Sequence, residues 1–494
     1  MNGFGAVRAV FLGGSVLSAG LLPLPSLAQD AAPQTLTEAL VDAYNNNATL
    51  QAQRAALRAV DEGVPAALAG WRPTVQVSGS KGWLSSKTDY TGASTFDGAH
   101  QYYSTMSTSL TVTQPIYTGG KVIDATREAK NSVYAARAQL LATEQTVFLN
   151  VVNAYVTVIT DTQEASLDQS DEDVLAQQLK ATQEQFDLGE ITLTSVAQAQ
   201  ASLAQAKEQV EVAQGNLQIA QESFRQLVGV YPGQLQPPQP LALPVANKDE
   251  AAAAALANNP NVIAAQFSDA ANKDAVDVAY SALMPQISLQ ASAYRDVNSS
   301  AANTTVNGGE VLGQLTVPLY QGGAEYSAIR QARAKEQESY AAILDAQRTA
   351  YSQATQAWVG MTSSQAAIVS TNVEIKANAI ALDGTEREEL VGTRTTLDVL
   401  NAQQALLNSQ VQQVQNIATL VNNSYEVASA IGRLTAKDLA LPVREYDDLN
   451  YYKSVEYAGF GTGEAADRKA GVASNGTLLQ VTQPPAIADE PPAP

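Results

Sequence analysis

The sequence predicts an α+β membrane protein built by internal duplication, each half carrying two β-strands and one very long helical hairpin. Three observations point there. The chain of 494 residues repeats itself: Asn46-Asn47 returns as Asn258-Asn259 and Pro73 as Pro285, 212 residues on. From Pro115 the spacing is 203, so that Pro115-Ile116-Tyr117-Thr118-Gly119-Gly120 returns as Pro318-Leu319-Tyr320-Gln321-Gly322-Gly323, Gly189 as Gly392, and Gly229 as Gly432. The nine-residue difference falls between Pro73 and Pro115 and marks a loop of variable length. Second, no proline occurs from Ile116 to Tyr231 or from Leu319 to Leu441, which permits long helices. Third, between the two prolines of each copy the apolar period drops from seven to two, the spacing of strands.

Taken in order, residues 1–28 have the form of an export signal. Arg8 supplies the positive start, Ala9 to Leu22 the apolar stretch, and Ser26-Leu27-Ala28 the cleavage site, so the mature chain begins at Gln29. Cysteine is absent, which leaves neither disulfides nor a lipid attachment point at that site. The best remaining apolar stretch, Val147 to Ile159, is broken by Asn150 and Asn153 and falls short of the ~20 residues a spanning helix needs. An exported chain without such a helix is either soluble beyond the inner membrane or crosses the outer membrane as strands.

Repeat 1 covers 29–231, with a helix, strands near 74–84 and 105–114, and a hairpin whose tip lies at 188–194. A linker at 232–246 leads to repeat 2 at 247–442, with a helix, strands near 286–295 and 310–317, and a tip at 391–397. The strands alternate: Val75 and Val77 with Thr74, Gln76 and Ser78 in the first copy, Ile287 and Leu289 with Gln and Ser in the second. The intervening loops, Ser85 to Tyr103 and Asn298 to Gly309, are rich in Gly, Ser, Thr and Asn. The helices carry heptads. Val196, Leu203, Val210, Leu217 and Phe224 recur every seven residues, with Ala199, Ala206, Ala213, Ala220 and Leu227 three residues later. Their partner repeats Val133, Leu140, Val147 and Ala154, and the second copy repeats Leu344, Tyr351 and Trp358. A helix from Gly120 to Leu188 is ~100 Å long at 1.5 Å per residue, too tall for a compact bundle. The turns at Gly189 and Gly392 suit left-handed caps, with Thr192 or Thr194, and Thr395 or Thr396, as N-caps of the returning helices. Residues 443–494 form a tail whose last ~25 residues read as disordered.

Four strands cannot close a barrel, and an open sheet leaves unpaired edges that a bilayer does not tolerate. Two copies give eight strands with a filled interior; three give twelve, wide enough for water. An oligomer is required, and a trimer is favoured.

Enzyme chemistry is not written here. His100 is the single histidine, in a polar loop, and without cysteine no zinc pattern exists. Gly459-x-Gly461-x-Gly463 follows no strand. Asp171-Glu172-Asp173 reads as a solvated helix face, and no cofactor or metal is expected. The net charge of −20 argues against nucleic acid. At the second tip Arg394 and Asp398 stand four apart with Asn401 one turn on. They form either a surface pair or, in a closed oligomer, a ring of charges at the narrow end.

The duplicated plan, Asn258-Asn259-Pro260 (Asn46-Asn47-Ala48 in the first copy), Pro-Ile/Leu-Tyr-x-Gly-Gly, and the segment Val391 to Ala402 resemble the TolC family of outer-membrane efflux and secretion channels over residues 34 to 442. The resemblance implies a homotrimer whose twelve-stranded barrel continues into an α-helical coiled-coil tunnel across the periplasm of a Gram-negative cell. It also implies docking of a periplasmic adaptor and an inner-membrane transporter, of the RND or ABC type, at tips built on Gly189 and Gly392. By the same resemblance Arg394 helps hold the tips shut and Asp398 and Asn401 line the entrance. Three positions depart from the pattern: Asn401 is not an acid, Ser195 after Thr194 replaces an acidic partner of the Arg, and Glu389 replaces an aromatic hydroxyl. The closing network is therefore rewired, with Glu389 or Glu190 as expected partners of Arg394. The function expected is a passive exit duct of a tripartite pump or type I secretion system. A trimeric adhesin or spacer accounts for the heptads but not for internal, duplicated strands, and a soluble adaptor carries one hairpin rather than two.

Overall fold

The computed structural model describes residues 32–87, 100–299 and 302–462; the export signal and the last part of the tail lie outside them. Repeat 1 runs α1 (Leu36–Asn46), α2 (Ala48–Asp61), α3 (Gly63–Leu68), β1 (Thr74–Lys87), β2 (His100–Tyr117), α4 (Lys121–Asp187) and α5 (Leu193–Val228). Repeat 2 runs α6 (Lys248–Asn258), α7 (Pro260–Ser281), β3 (Gln286–Val297), β4 (Thr305–Thr316), α8 (Ala324–Leu390) and α9 (Thr396–Ala430), and α10 (Asp448–Val455) follows in the tail. The long helices α4 and α8 have 67 residues each and begin and end at equivalent positions. Each is ~100 Å long. Where repeat 2 has the single helix α7, repeat 1 breaks at Glu62, three residues before Pro65, whose missing N–H cannot continue the ladder.

The four strands form one antiparallel sheet in the order β1-β2-β3-β4, so β1 and β4 are its edges. The strands outrun the sequence-based bounds: pairing continues to Lys87↔His100 on one hairpin and Val297↔Thr305 on the other. Much of what reads as polar loop is thus strand, because Ser, Thr and Asn on a half-solvated face obscure the alternation. The side chain of His100 lies outside the described residues. Register divides the sheet into two faces. One carries Val75, Val77, Leu110, Val112, Leu289, Ala291, Val311 and Leu315, with Trp83 and Tyr102 farther out. The other carries Gln76, Ser78, Ser109, Thr111, Gln290, Ser292, Glu310 and Gln314. Val75, Val77, Val311 and Leu315 are exposed in one chain, an apolar surface that nothing among the described residues covers.

The core lies midway, where α4 meets α1, α2 and the far ends of α5 and α9. Phe148, Tyr155, Phe224, Leu50, Leu57 and Leu434 are fully buried there. The Tyr155 hydroxyl reaches the carbonyl oxygens of Gln34 and Gln236 at 2.9 and 2.8 Å and so fastens the chain's start and the linker. The repeated asparagines join stacked helices. Asn47 caps α2 by accepting from the N–H of Thr49 and Leu50, while its Nδ2 donates to the Leu227 carbonyl at the end of α5, 3.0 Å away. Asn259 does the same at the equivalent place, accepting from Asn261 N–H and donating to the Ala430 carbonyl at the end of α9, at 3.0 Å. One side chain therefore satisfies orphan groups of two helix ends at once.

The tail is docked as far as α10, and its last ~25 residues, expected to be disordered, lie outside the described residues. Arg137 lies 3.4 Å from Asp448 across their charges, Tyr451 donates to Glu62 at 2.8 Å, and Arg72 donates to the carbonyls of Tyr457 and Ala458 at 3.2 and 2.7 Å. Asp61 is buried beside this latch with one carboxylate oxygen unpartnered. Burial raises its pKa to about 7 against the attraction of Arg137, with Asp448 and Glu62 raising it further and Arg58 opposing.

Two predictions follow from this packing. Asn259→Ala removes a cap and a buried inter-helix bond; it should cost about 1–2 kcal/mol and lower the melting temperature in detergent, while Asn261→Ala on the exposed surface should not. For Asp61 the folded pKa lies above the unfolded value, so its contribution is fully present below pH 3.8 and is lost as pH rises through about 7. Hydrogen–deuterium protection of Asp448–Val455, corrected for intrinsic rates, should fall across that window, and Asp61→Asn should flatten the dependence.

Candidate functional site

The two hairpin tips are built alike by Schellman turns. At the first, Gly189 N–H bonds the Phe186 carbonyl and Glu190 N–H that of Gln185; at the second, Gly392 N–H bonds Glu389 and Thr393 N–H bonds Glu388. Both turns need a left-handed residue, and Gly189 and Gly392 supply φ of 79° and 77°. Leu188, Leu193, Leu390 and Val391 stand exposed around them.

The tips differ in how the returning helix starts. Thr395 caps α9 in a full capping box: its hydroxyl oxygen accepts from Asp398 N–H at 3.3 Å, and the Asp398 carboxylate accepts from Thr395 N–H at 2.9 Å. The Thr395 hydroxyl also lies 2.8 Å from that carboxylate. At the first tip Thr192 is the N-cap and makes no side-chain capping bond, and Ser195 at the position of Asp398 supplies no carboxylate to return one. These bonds to Thr395, with a smaller contribution from Arg394, hold the Asp398 carboxyl below the usual carboxylate range.

Within one chain Arg394 pairs with neither Glu389 nor Glu190. Its Nε donates to Glu388 at 2.9 Å, on the last turn of α8. The reason is geometric: the Schellman turn folds Arg394 back over the C-terminal turn, where Glu388 is on the exposed side and Glu389 faces α4. Glu389 instead accepts from Gln178 of α4 at 3.4 Å. Thr194 and Asn401 are exposed, and Ser195 is half-buried. The structure thus brings Arg394, Thr395 and Asp398 together and leaves Thr194 and Asn401 apart from them within one chain.

Sequence reasoning missed a second set of charges farther up the hairpins. Asp171, read as solvated, is buried against α9 and accepts from Gln403 at 2.6 Å. Burial raises its pKa, as it does for Asp168 and Asp161, about one and three turns earlier along α4. Asp161, Glu164, Asp168 and Glu208 line a cleft of about 740 Å³ between α4, α5 and α9 whose remaining lining is amide and apolar. The signal was present: the heptad Val133, Leu140, Val147, Ala154 continues as Asp161, Asp168, Leu175 and Thr182. The acids sit on the packing seam rather than the free face.

The family model described as outer membrane efflux protein matches residues 39–230 and 251–433, one match in each repeat. The chain belongs to this family. It is an outer-membrane exit duct. It is 33% identical over 458 residues to outer membrane efflux protein BepC of Brucella suis biovar 1 (strain 1330), covering 92% of this chain and 95% of that one. It is 26% identical over 377 residues to outer membrane protein TolC of Escherichia coli (strain K12), covering 71% and 74%. The solved outer membrane protein VceC of Vibrio cholerae shares the fold at a TM-score of 0.69 and 20% identity over 80% of this chain and 96% of that one. The division of this family member's sheet into an apolar and a polar face is the alternation expected of membrane-barrel strands.

The capping box gives a prediction at the second tip. Asp398→Ala should speed amide exchange in the first turn of α9 at neutral pH. In the parent protein the same loosening should appear only as pH falls from 3.8 through the lowered folded pKa, since a depressed carboxyl contributes above its unfolded pKa and is lost below the folded one. Ser195→Ala should leave α5 unchanged.

Proposed function

We propose that three copies of the chain close a barrel of three times four strands, that their hairpins form a tunnel through the periplasm, and that the tips are its gate. The observation that carries this is the pair of open edges, β1 and β4, on a sheet whose outer face is apolar. Pairing β4 of one copy with β1 of the next satisfies every edge, as lipid requires. At the other end the exposed Leu188, Leu193, Leu390 and Val391 offer an apolar docking rim for a periplasmic adaptor and an inner-membrane transporter. The relative BepC is named for efflux, which favours an efflux pump over type I protein secretion as the setting.

Gating is electrostatic in this reading. Arg394, held by Glu388, presents its remaining guanidinium donors towards the neighbouring hairpin, and Asp398, Asn401, Thr194, Ser195 and Glu389 lie around the same narrow end. The duct is passive, and the transporter supplies the work that parts the tips.

The full-length protein in detergent should have the mass of a trimer and conduct ions in a planar bilayer. Arg394→Ala and Glu388→Ala should each raise single-channel conductance, and the double variant should gain little over either, because both disturb one lock. A monomeric, non-conducting protein overturns the proposed function; a conducting trimer with unchanged conductance in Arg394→Ala removes only the gate.

A further inference from the structure

We propose that the apolar face of the sheet carries a recognition site for the phosphorylated head of an outer-leaflet glycolipid, built on Arg295 and Lys81 with Thr108 and Asn307 beside them. The proposal rests on the barrel reading above, in which this face meets lipid and the hairpin ends of the strands face the cell exterior. It adds the lipid that the face selects.

Charge is sorted between the two faces of the sheet. Both acids of the four strands, Asp296 and Glu310, fall on the polar face, whereas Lys81 and Arg295 fall on the apolar one. The chain holds 49 acidic and 29 basic residues, so a face that carries cations and no acid does not follow from composition. Lys81 pairs with Met106, and one row inwards Gly79, Thr108, Arg295 and Asn307 stand side by side. Lys81 and Arg295 are exposed, and neither makes an ion pair or a side-chain hydrogen bond among the described residues. A cation on a lipid-facing surface needs an anion or water within reach of its head, and its depth decides which it meets.

Ile287 opens the apolar face on β3, and Arg295 stands eight residues farther along (295 − 287 = 8). At ~3.4 Å per residue and a strand tilt of ~40°, that is ~20 Å along the membrane normal, close to the outer edge of an apolar band ~25 Å tall. Trp83 and Tyr102, 84% and 76% exposed, follow on the same face nearer the strand ends and mark the interface. The two cations thus lie just inside the aromatic girdle, from where their stems reach the lipid head groups. Strands ~4.8 Å apart put the Cα atoms of Arg295 and Lys81 ~12 Å from one another, a gap that two extended side chains close around one phosphate. The guanidinium offers paired donors to phosphate oxygens and the ammonium a compact charge. Beneath the cations the face turns small: Ala293 and Gly309 pair directly under Arg295 and Asn307, so an acyl chain can lie against the backbone. A phosphate on an acylated sugar meets the charges, the polar row and the trough together. A free anion meets only the charges.

Full-length protein in detergent, titrated with bis-phosphorylated lipid A and read by native mass spectrometry, should retain lipid adducts. Lys81→Gln/Arg295→Gln should weaken that binding about tenfold, and Lys81→Gln alone about threefold. Lys81→Arg/Arg295→Lys keeps both charges and should lose no more than about threefold. Lys180→Gln/Lys376→Gln, on the long helices, should bind as the parent does. Lipid A stripped of its phosphates should bind the parent and the doubly neutralised protein alike, and inorganic phosphate at the same concentration should not displace intact lipid A. Equal binding of lipid A to the parent and to Lys81→Gln/Arg295→Gln overturns the proposal. Displacement by inorganic phosphate also overturns it, since the site then takes a free anion. If the stripped lipid binds the parent as tightly as lipid A does, the apolar face alone holds the lipid and the head-group site is wrong. Native mass and single-channel conductance are measured on the same samples. A conducting trimer that fails these lipid tests removes only this site, whereas a non-conducting monomer removes the barrel and the site together.

Discussion

The organising constraint is the unpaired backbone at the two edges of a four-stranded sheet. Each edge N–H and C=O must find a partner, and the apolar band of Val75, Val77, Val311 and Leu315 forbids water as that partner. A sheet of four strands is also too narrow to curl onto itself. In the proposed assembly the chain is one sector of a ring.

The stacking of short helices on long ones depends on a second repeated device. Asn47 and Asn259 each sit at a break between two helices that continue one another, with backbone φ and ψ near −65° and 123°. Such a break leaves orphan carbonyls on one side and orphan N–H groups on the other. A carboxamide carries its acceptor and its donor on separate atoms, so it can serve both ends; Asp at the same place would satisfy only the N–H side. That is the physical content of the Asn-Asn pairs from which the repeat is first recognised.

The larger architecture was legible because it is periodic. Proline-free stretches and seven-residue spacing place α4 and α8, and the Gly-Gly pairs at 119–120 and 322–323, all at positive φ, mark where strand gives way to helix. Strand ends were less legible, since β2 spends its outer half on Ser, Thr and Tyr that alternate in direction but not in hydropathy. The tip chemistry was only half legible. The capping box Thr395-x-x-Asp398 is a local pattern, but Arg394's choice of Glu388 over Glu389 depends on which side of the last helical turn faces α4, and that is set by packing. The docking of α10 was invisible for the same reason: its contacts are single charges and hydroxyls to residues more than three hundred positions away.

The acids on the α4 seam show what the duct's helices are adapted to do. A coiled-coil seam of Val and Leu alone would be more stable, yet below Ala154 it changes to Asp161 and Asp168, with Asp171 buried against α9. Carboxylates there are disfavoured in their charged form by burial, and Gln403 compensates only Asp171. The lower hairpins therefore carry a sparser apolar seam than the core around Phe148 and Tyr155, where buried Glu144 accepts from the Ala436 N–H and the Tyr155 hydroxyl reaches two carbonyls. Local stability that falls towards the tips lets the ends of the hairpins move while the middle stays fixed. The proposed gate at the end of a 67-residue helix is served by that gradient, because a uniformly strong seam would transmit any opening at the tips into the barrel.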